Sequence, residues 1–194
     1  MGKNIEGEED IVKRMSEEGH LIGNHSYEHI QLTKAGAKAV CEAVEHTQEQ
    51  IEAITGKRPE YIRPPYGDWN EELEEEIGMT PVLWSLDSLD WKLKDTGKII
   101  RQVLKDVKDG DIILLHDIFP SSVEAALELI DILQKEGYVF VTADELLIEM
   151  SPQGKQASLV QVAFVFTGSY FYRAIYGRFS CDGRRWSVSA WESK

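Results

Sequence analysis

A chain of 194 residues and 22.0 kDa has the length of one domain with an appendage, enough to bury a core and too little for two large domains. Hydrophobic residues at 42% and charged residues at 28% exclude a disordered chain. The net charge of −13 repels phosphate backbones and anionic lipid, so nucleic acid is excluded as a partner.

Residues 1–10 are acidic and lack the apolar stretch of an export signal, and Glu6 stands where a myristoylation signal would have Ser or Thr. No apolar run nears the ~20 residues of a membrane helix, so no membrane span is expected. A helix is expected over 8–18 with no strand ahead of it, as though a strand were missing. Helical spacing then recurs at Val40, Val44, Thr47, Ile51 and Ile54, at Ile99, Ile100, Val103, Leu104 and Val107, and at Val123, Leu127, Ile130 and Leu133. Between these helices lie β-prone runs at 20–25, 61–63, 81–86, 111–115 and 138–142. The fourth is almost wholly apolar, as a strand covered on both faces would be. The alternation predicts an α/β fold of β-α-β units around a parallel sheet or barrel, with its active site at the carboxyl ends of the strands.

Charge divides the chain at 150: residues 1–150 carry −17 and residues 151–194 carry +4, and nine of the 18 aromatic residues fall in that last segment. Ser151-Pro152-Gln153-Gly154 has the composition of a linker. Beyond it, 159–166 reads as a strand and 181–184 as a hairpin turn. The chain is therefore divided into a body, 1–150, and an unassigned basic, aromatic-rich, β-prone tail, 151–194. Cys41 and Cys181 form no C-x-x-C motif, so neither a disulfide framework nor a cysteine zinc site is indicated.

Four motifs stand at strand ends. His25-Ser26-Tyr27-Glu28-His29 spaces two imidazoles four apart, so that on a helical turn both would face one ion; two surface histidines are the alternative. Arg63-Pro64-Pro65-Tyr66-Gly67 is a proline-stiffened loop able to hold a guanidinium and a backbone N–H, or simply a rigid turn. Asp87-Ser88-Leu89-Asp90-Trp91 brings two carboxylates and a sugar-stacking ring to the sheet rim, unless the Asp residues are turn caps. His116 ends the most apolar run, where an imidazole can be tuned for proton transfer or can sit satisfied in the core. His20 and His46 read as structural or solvated, and the acidic run from Glu71 to Glu76 as a solvated helix face.

Together these motifs resemble the polysaccharide deacetylase family, the NodB-homology or carbohydrate esterase family 4 domain, over roughly residues 2–150. The resemblance implies an incomplete, distorted (β/α) barrel and a divalent metal, most often Zn²⁺ with Co²⁺ or Ni²⁺ as alternatives. It implies removal of acetyl groups from N-acetylglucosamine polymers, peptidoglycan or chitin in type, by metal-activated water. His25 and His29 would be metal ligands and Arg63 would orient a catalytic carboxylate. The Tyr66 N–H would stabilise an oxyanion, and Trp91 and Leu114 would wall the acetyl pocket. His116 would be the general acid, held protonated by Asp90 or less favourably Asp87. An extracellular or cell-envelope location follows from such polymers.

One motif of the family is absent. The Thr-Phe-Asp-Asp-Gly strand, source of a general base and a third metal ligand, has no counterpart in this sequence, which accounts for the orphan helix and suggests an amino-terminal truncation. Two histidines alone should bind zinc weakly, so little turnover is expected of this polypeptide by itself. In-chain replacements for the missing ligand are Asp87, Asp90 and Asp68. The competing functions are a glycan-binding remnant, using Trp91, Tyr66, Tyr170, Tyr172, Trp186 and Trp191, and an acetylxylan esterase. Strand 159–166 would either fill the vacant place beside the run ending at His25 or belong to a separate hairpin.

Overall fold

The computed structural model describes residues 1–149, 160–166, 179–182 and 185–188. Two units divide the chain, Met1–Leu83 and Trp84–Lys194.

In the first unit, α1 (Glu9–Glu17) buries no side chain and is followed by Gly19 in the left-handed region. The longer α2 (Ala37–Thr55) turns Val40, Val44, Thr47 and Ile51 of the expected stripe inward together with Gln48, leaves Ile54 half-buried, and stops at Gly56 in the left-handed region, where the missing Cβ removes the steric penalty. Strands β1 (Tyr61–Ile62) and β2 (Thr80–Pro81) pair in parallel, Tyr61 with Thr80 and Ile62 with Pro81. Between them, α3 (Glu71–Ile77) is capped by the Asn70 side chain, which accepts the Leu73 N–H at 2.9 Å. Val40, Val44, Ile62, Leu73, Met79 and Leu32 close this core.

The run 20–25 forms no full strand: only Asn24 bridges, to Ile62. Gly23 explains the close approach, since a Cβ there would lie 3.1 Å from the Tyr61 carbonyl oxygen. The run 81–86 also differs from expectation. Its start belongs to β2, while its end forms β3 (Leu86–Asp87), and exposed Leu83 lies between. Pro81 has no N–H with which to extend a ladder.

In the second unit, β3 is followed by α4 (Asp90–Leu93), α5 (Thr96–Asp106), β4 (Asp111–Leu115), α6 (Pro120–Lys135), β5 (Tyr138–Phe140) and α7 (Ala143–Glu149). Every residue of β4 is buried, as its apolar run predicts. Its one charged residue, Asp111, accepts the Ser85 hydroxyl at 2.7 Å and the Lys108 N–H at 2.8 Å, which offsets the cost of burying a carboxylate. The core gathers Ile113 and Leu115 with Ile99, Val103, Ala126 and Leu129 from α5 and α6.

The tail contributes β6 (Val160–Phe166), which lies parallel between β4 and β5 in a sheet ordered β3-β4-β6-β5. It pairs Asp111 with Val162 and Phe140 with Val162 from its two sides, so both its edges are taken within this sheet. That differs from both expected positions for this strand, and β5-α7-β6 becomes one more β-α-β unit. The hairpin expectation is met by β7 (Phe179–Asp182) and β8 (Arg185–Val188), antiparallel with Cys181 opposite Trp186. The linker residues 151–154 and Tyr170, Tyr172 and Trp191 lie outside the described residues. Among the described residues no helix is long and apolar enough to cross a membrane.

Candidate active site

The segment from Asn24 to His29 is not the helical turn its four-residue spacing suggests. Asn24 accepts the Ser26 N–H on Oδ1 at 2.8 Å and donates from Nδ2 to the Val44 carbonyl at 2.8 Å, tying the segment to α2. Ser26 and His29 then take φ of 56° and 60°. Left-handed backbone costs a non-glycine residue about 1–2 kcal/mol, and here it bends the loop back on itself. The rings of His25 and His29 meet edge to face, 4.8 Å between centroids. Two imidazoles are thus brought together by a bent loop.

His25 Nδ1 lies 2.5 Å from the Arg63 carbonyl oxygen. A carbonyl only accepts, so Nδ1 carries the proton and Nε2 keeps the lone pair a metal would use. Burial drives the His25 pKa down to about 3, with the positive charge of the amino terminus and, less, those of His29 and Arg63 adding and the Arg63 carbonyl opposing. The ring is therefore neutral at physiological pH.

Arg63 is buried, and after it Pro64 and Pro65 lead into a short turn in which Tyr66 and Gly67 both adopt left-handed φ, 61° and 70°. The Tyr66 ring is 66% exposed and meets His29 edge to face at 4.6 Å.

The second unit carries a separate constellation. Asp90 is fully buried, 0% exposed, and its carboxylate accepts the His116 N–H at 2.5 Å and the Trp91 N–H at 2.8 Å. Its Oδ1 also lies 2.8 Å from His116 Nδ1, which must donate to it, so Nε2 is the ring's outward nitrogen. Burial pushes the Asp90 pKa up, but the bonds from the His116 ring, the Ser122 side chain and the His116 backbone together hold the carboxyl below its ordinary value. Asp87 is not the partner of His116: its Oδ1 accepts the Leu89 N–H at 2.8 Å, a turn role. Trp91 is half exposed, whereas Leu114 is buried inside β4.

The in-chain carboxylates proposed as a third ligand are engaged elsewhere: Asp68 with Gln31 and Thr33, Asp87 with Leu89, and Asp90 with His116. Among the described residues no group of three or more His, Cys, Asp or Glu side chains is arranged to hold a metal. The His25–His29 pair therefore fits as two ligands of an ion and the described residues bring no third. Asn24 and Ser88 escaped the sequence reading, though a polar residue directly before each special turn was the available signal. Asn24 anchors the imidazole loop, and the Ser88 hydroxyl accepts the Asp90 N–H at 3.3 Å.

The family model "Polysaccharide deacetylase" matches residues 1–82. A solved peptidoglycan deacetylase, PdaC from Bacillus subtilis, superposes with a TM-score of 0.74 at 38% identity, covering 76% of this chain and 73% of that one. The chain belongs to the polysaccharide deacetylase family. This deacetylase-family chain is also 39% identical over 156 residues to the peptidoglycan-N-acetylglucosamine deacetylase PgdA of Listeria monocytogenes, covering 80% of this chain and 34% of PgdA. It spans about a third of the length of the first curated relatives it matches. A carbohydrate esterase family 4 pseudoenzyme from Bacillus anthracis shares the fold, with a TM-score of 0.70 at 24% identity over 84% of this chain and 57% of that one. The mixed α/β architecture is that of the NodB-type deacetylases, and enzymes of this hydrolase family are generally metal-dependent.

Proposed function

We propose that this chain carries deacetylation chemistry toward an N-acetylglucosamine-containing glycan, of which peptidoglycan is favoured because PgdA and PdaC are named for it. The observation that carries the reading is the His116–Asp90 pair. A fully buried carboxylate fixes one imidazole nitrogen and leaves the other to act on solvent or substrate. An amine leaves an acetamide only if it is protonated, and His116 is assigned that delivery while Asp90 orients it. Tyr66, in its left-handed turn, is assigned the N–H that meets the developing oxyanion. Trp91 offers a face to a sugar ring, and Leu114 an apolar wall for the acetyl methyl.

His25 and His29 are assigned to a divalent ion, zinc before cobalt or nickel because imidazole nitrogen suits it. Bound there, such an ion supplies a Lewis acid and a nucleophile at neutral pH. Arg63 is assigned to a carboxylate in that neighbourhood. An envelope or extracellular setting follows from a cell-wall substrate.

A second reading rests on the absence of a third ligand among the described residues: glycan binding without turnover. Acetate release from N-acetylated peptidoglycan fragments and N-acetylchitooligosaccharides separates the two. Turnover that requires added zinc and is lost in His116→Ala supports the deacetylase. Oligosaccharide binding that persists in chelator, with no acetate released at any zinc concentration, establishes the second reading instead.

A further inference from the structure

The turn that presents Tyr66 carries left-handed backbone. Tyr66 and Gly67 are consecutive left-handed residues, and the bonds from Gly67 N–H to the Pro64 carbonyl (3.0 Å) and from Asp68 N–H to the Pro65 carbonyl (3.2 Å) close the turn. The next side chain, Asp68, reaches back to the imidazole loop. Its Oδ2 accepts the Gln31 Nε2–H at 2.6 Å and the Thr33 hydroxyl in a short hydrogen bond. Gln31 and Thr33 follow His29 by two and four residues, at the entry to the 3₁₀ turn Leu32–Lys34. One carboxylate oxygen thus joins the segment that carries the imidazoles to the segment that carries Tyr66, and the rings of His29 and Tyr66 touch across the same junction.

The cap of α3 is Asn70, not Asp68. The Thr33 hydroxyl, followed by Gln31, holds the Asp68 carboxyl below the ordinary range, so the acceptor is a full charge and both bonds are charge-assisted.

We infer that Asp68 is a positioning residue that locks the Tyr66 turn against the His25–His29 loop and so sets where the Tyr66 N–H stands relative to the imidazoles. This rests on the deacetylase reading for its catalytic consequence but not for the lock itself. Misplacing a catalytic group by an ångström can cost about a hundredfold in rate. Removing the lock therefore acts on kcat, while His25, held by the Arg63 carbonyl beside the Asn24-anchored Ser26, keeps its place.

The test compares the full chain with Asp68→Ala, Asp68→Asn and Thr33→Val. In ¹⁵N and imidazole NMR, Asp68→Ala is expected to displace the Tyr66 amide and His29 ring resonances. Asp68→Asn, which keeps an acceptor oxygen, should restore them, and Thr33→Val should give an intermediate displacement. In zinc-supplemented turnover at saturating zinc, Asp68→Ala should lower kcat about 10–100-fold with KM within about twofold, and Asp68→Asn should recover most of the loss. Tyr66 and His29 resonances unmoved in folded Asp68→Ala overturn the inference, as does a kcat that stays at the parent value. A parent chain without turnover, in which Asp68→Ala still moves both resonances and Asp68→Asn restores them, sinks the deacetylase reading and leaves the lock standing.

Discussion

Burial decides which form of His25 the protein keeps. The unfolded ring takes up its proton near pH 6.5 and the folded ring only near pH 3, so between those values the unfolded chain binds more protons. Stability contributed by the neutral ring is full above the unfolded value and falls as pH drops through that window, by at most about 1.4 kcal/mol per pH unit. Urea unfolding in chelator at several pH values should show this decline, and His25→Asn should flatten it; a wild-type midpoint that stays constant across the window would contradict the buried, neutral ring. For His116 the environment is a carboxylate rather than an apolar wall. Asp90→Asn keeps the shape of the contact and removes the charge, so kcat should fall by about 10²–10⁴, the range of a general acid, with KM little changed. Equal turnover of Asp90→Asn and parent would show that the pair is only structural. Both histidines were legible from their places at the ends of β-prone runs. Their tautomers were not, because those depend on the Arg63 carbonyl and the Asp90 carboxylate, which lie 38 and 26 positions away in sequence.

At the scale of elements, apolar periodicity located the long helices, though each stripe begins three residues inside its helix, and placed β4 at its own bounds, since a stripe that must be buried leaves few choices of period. Ile113 has no exposed surface and stands at the centre of β4. Ile113→Ala should cost about 2–5 kcal/mol in chemical denaturation, from lost transfer energy and the cavity left behind. The short strands β2 and β3 were misread as one because a run of β-prone residues does not say which neighbour each end will pair with. For β6 the composition break at 150 argued for separation, yet Val162 and Ala163 are fully buried between β4 and β5. Removing residues 151–194 should therefore lower the thermal midpoint of the remaining chain by several degrees, as expected when about 1 kcal/mol or more is lost from a domain of this size. An unchanged midpoint would mean that β4 and β5 do not need this strand.

For the molecule as a whole, fold alone does not decide turnover, since the same architecture is shared with a pseudoenzyme. The net charge of −13 has its own consequence. Deacetylation converts neutral acetamides to amines, so a protonated product is drawn to this acidic chain more than its substrate. Binding of chitosan oligomers in mildly acidic buffer should weaken markedly with added salt, whereas binding of N-acetylated oligomers should hardly respond. By itself the sequence determined the α/β class, the family and the identity of the imidazoles, carboxylates and aromatic rings, because side-chain chemistry and hydrophobic period are local properties. Tertiary structure alone decided that His25 and His29 meet through left-handed backbone, that Asp90 and not Asp87 pairs with His116, that Asp68 bridges two loops, and that a basic tail supplies an inner strand. Each of those outcomes depends on which distant donor or strand edge comes within bonding distance, and only the folded chain sets such distances.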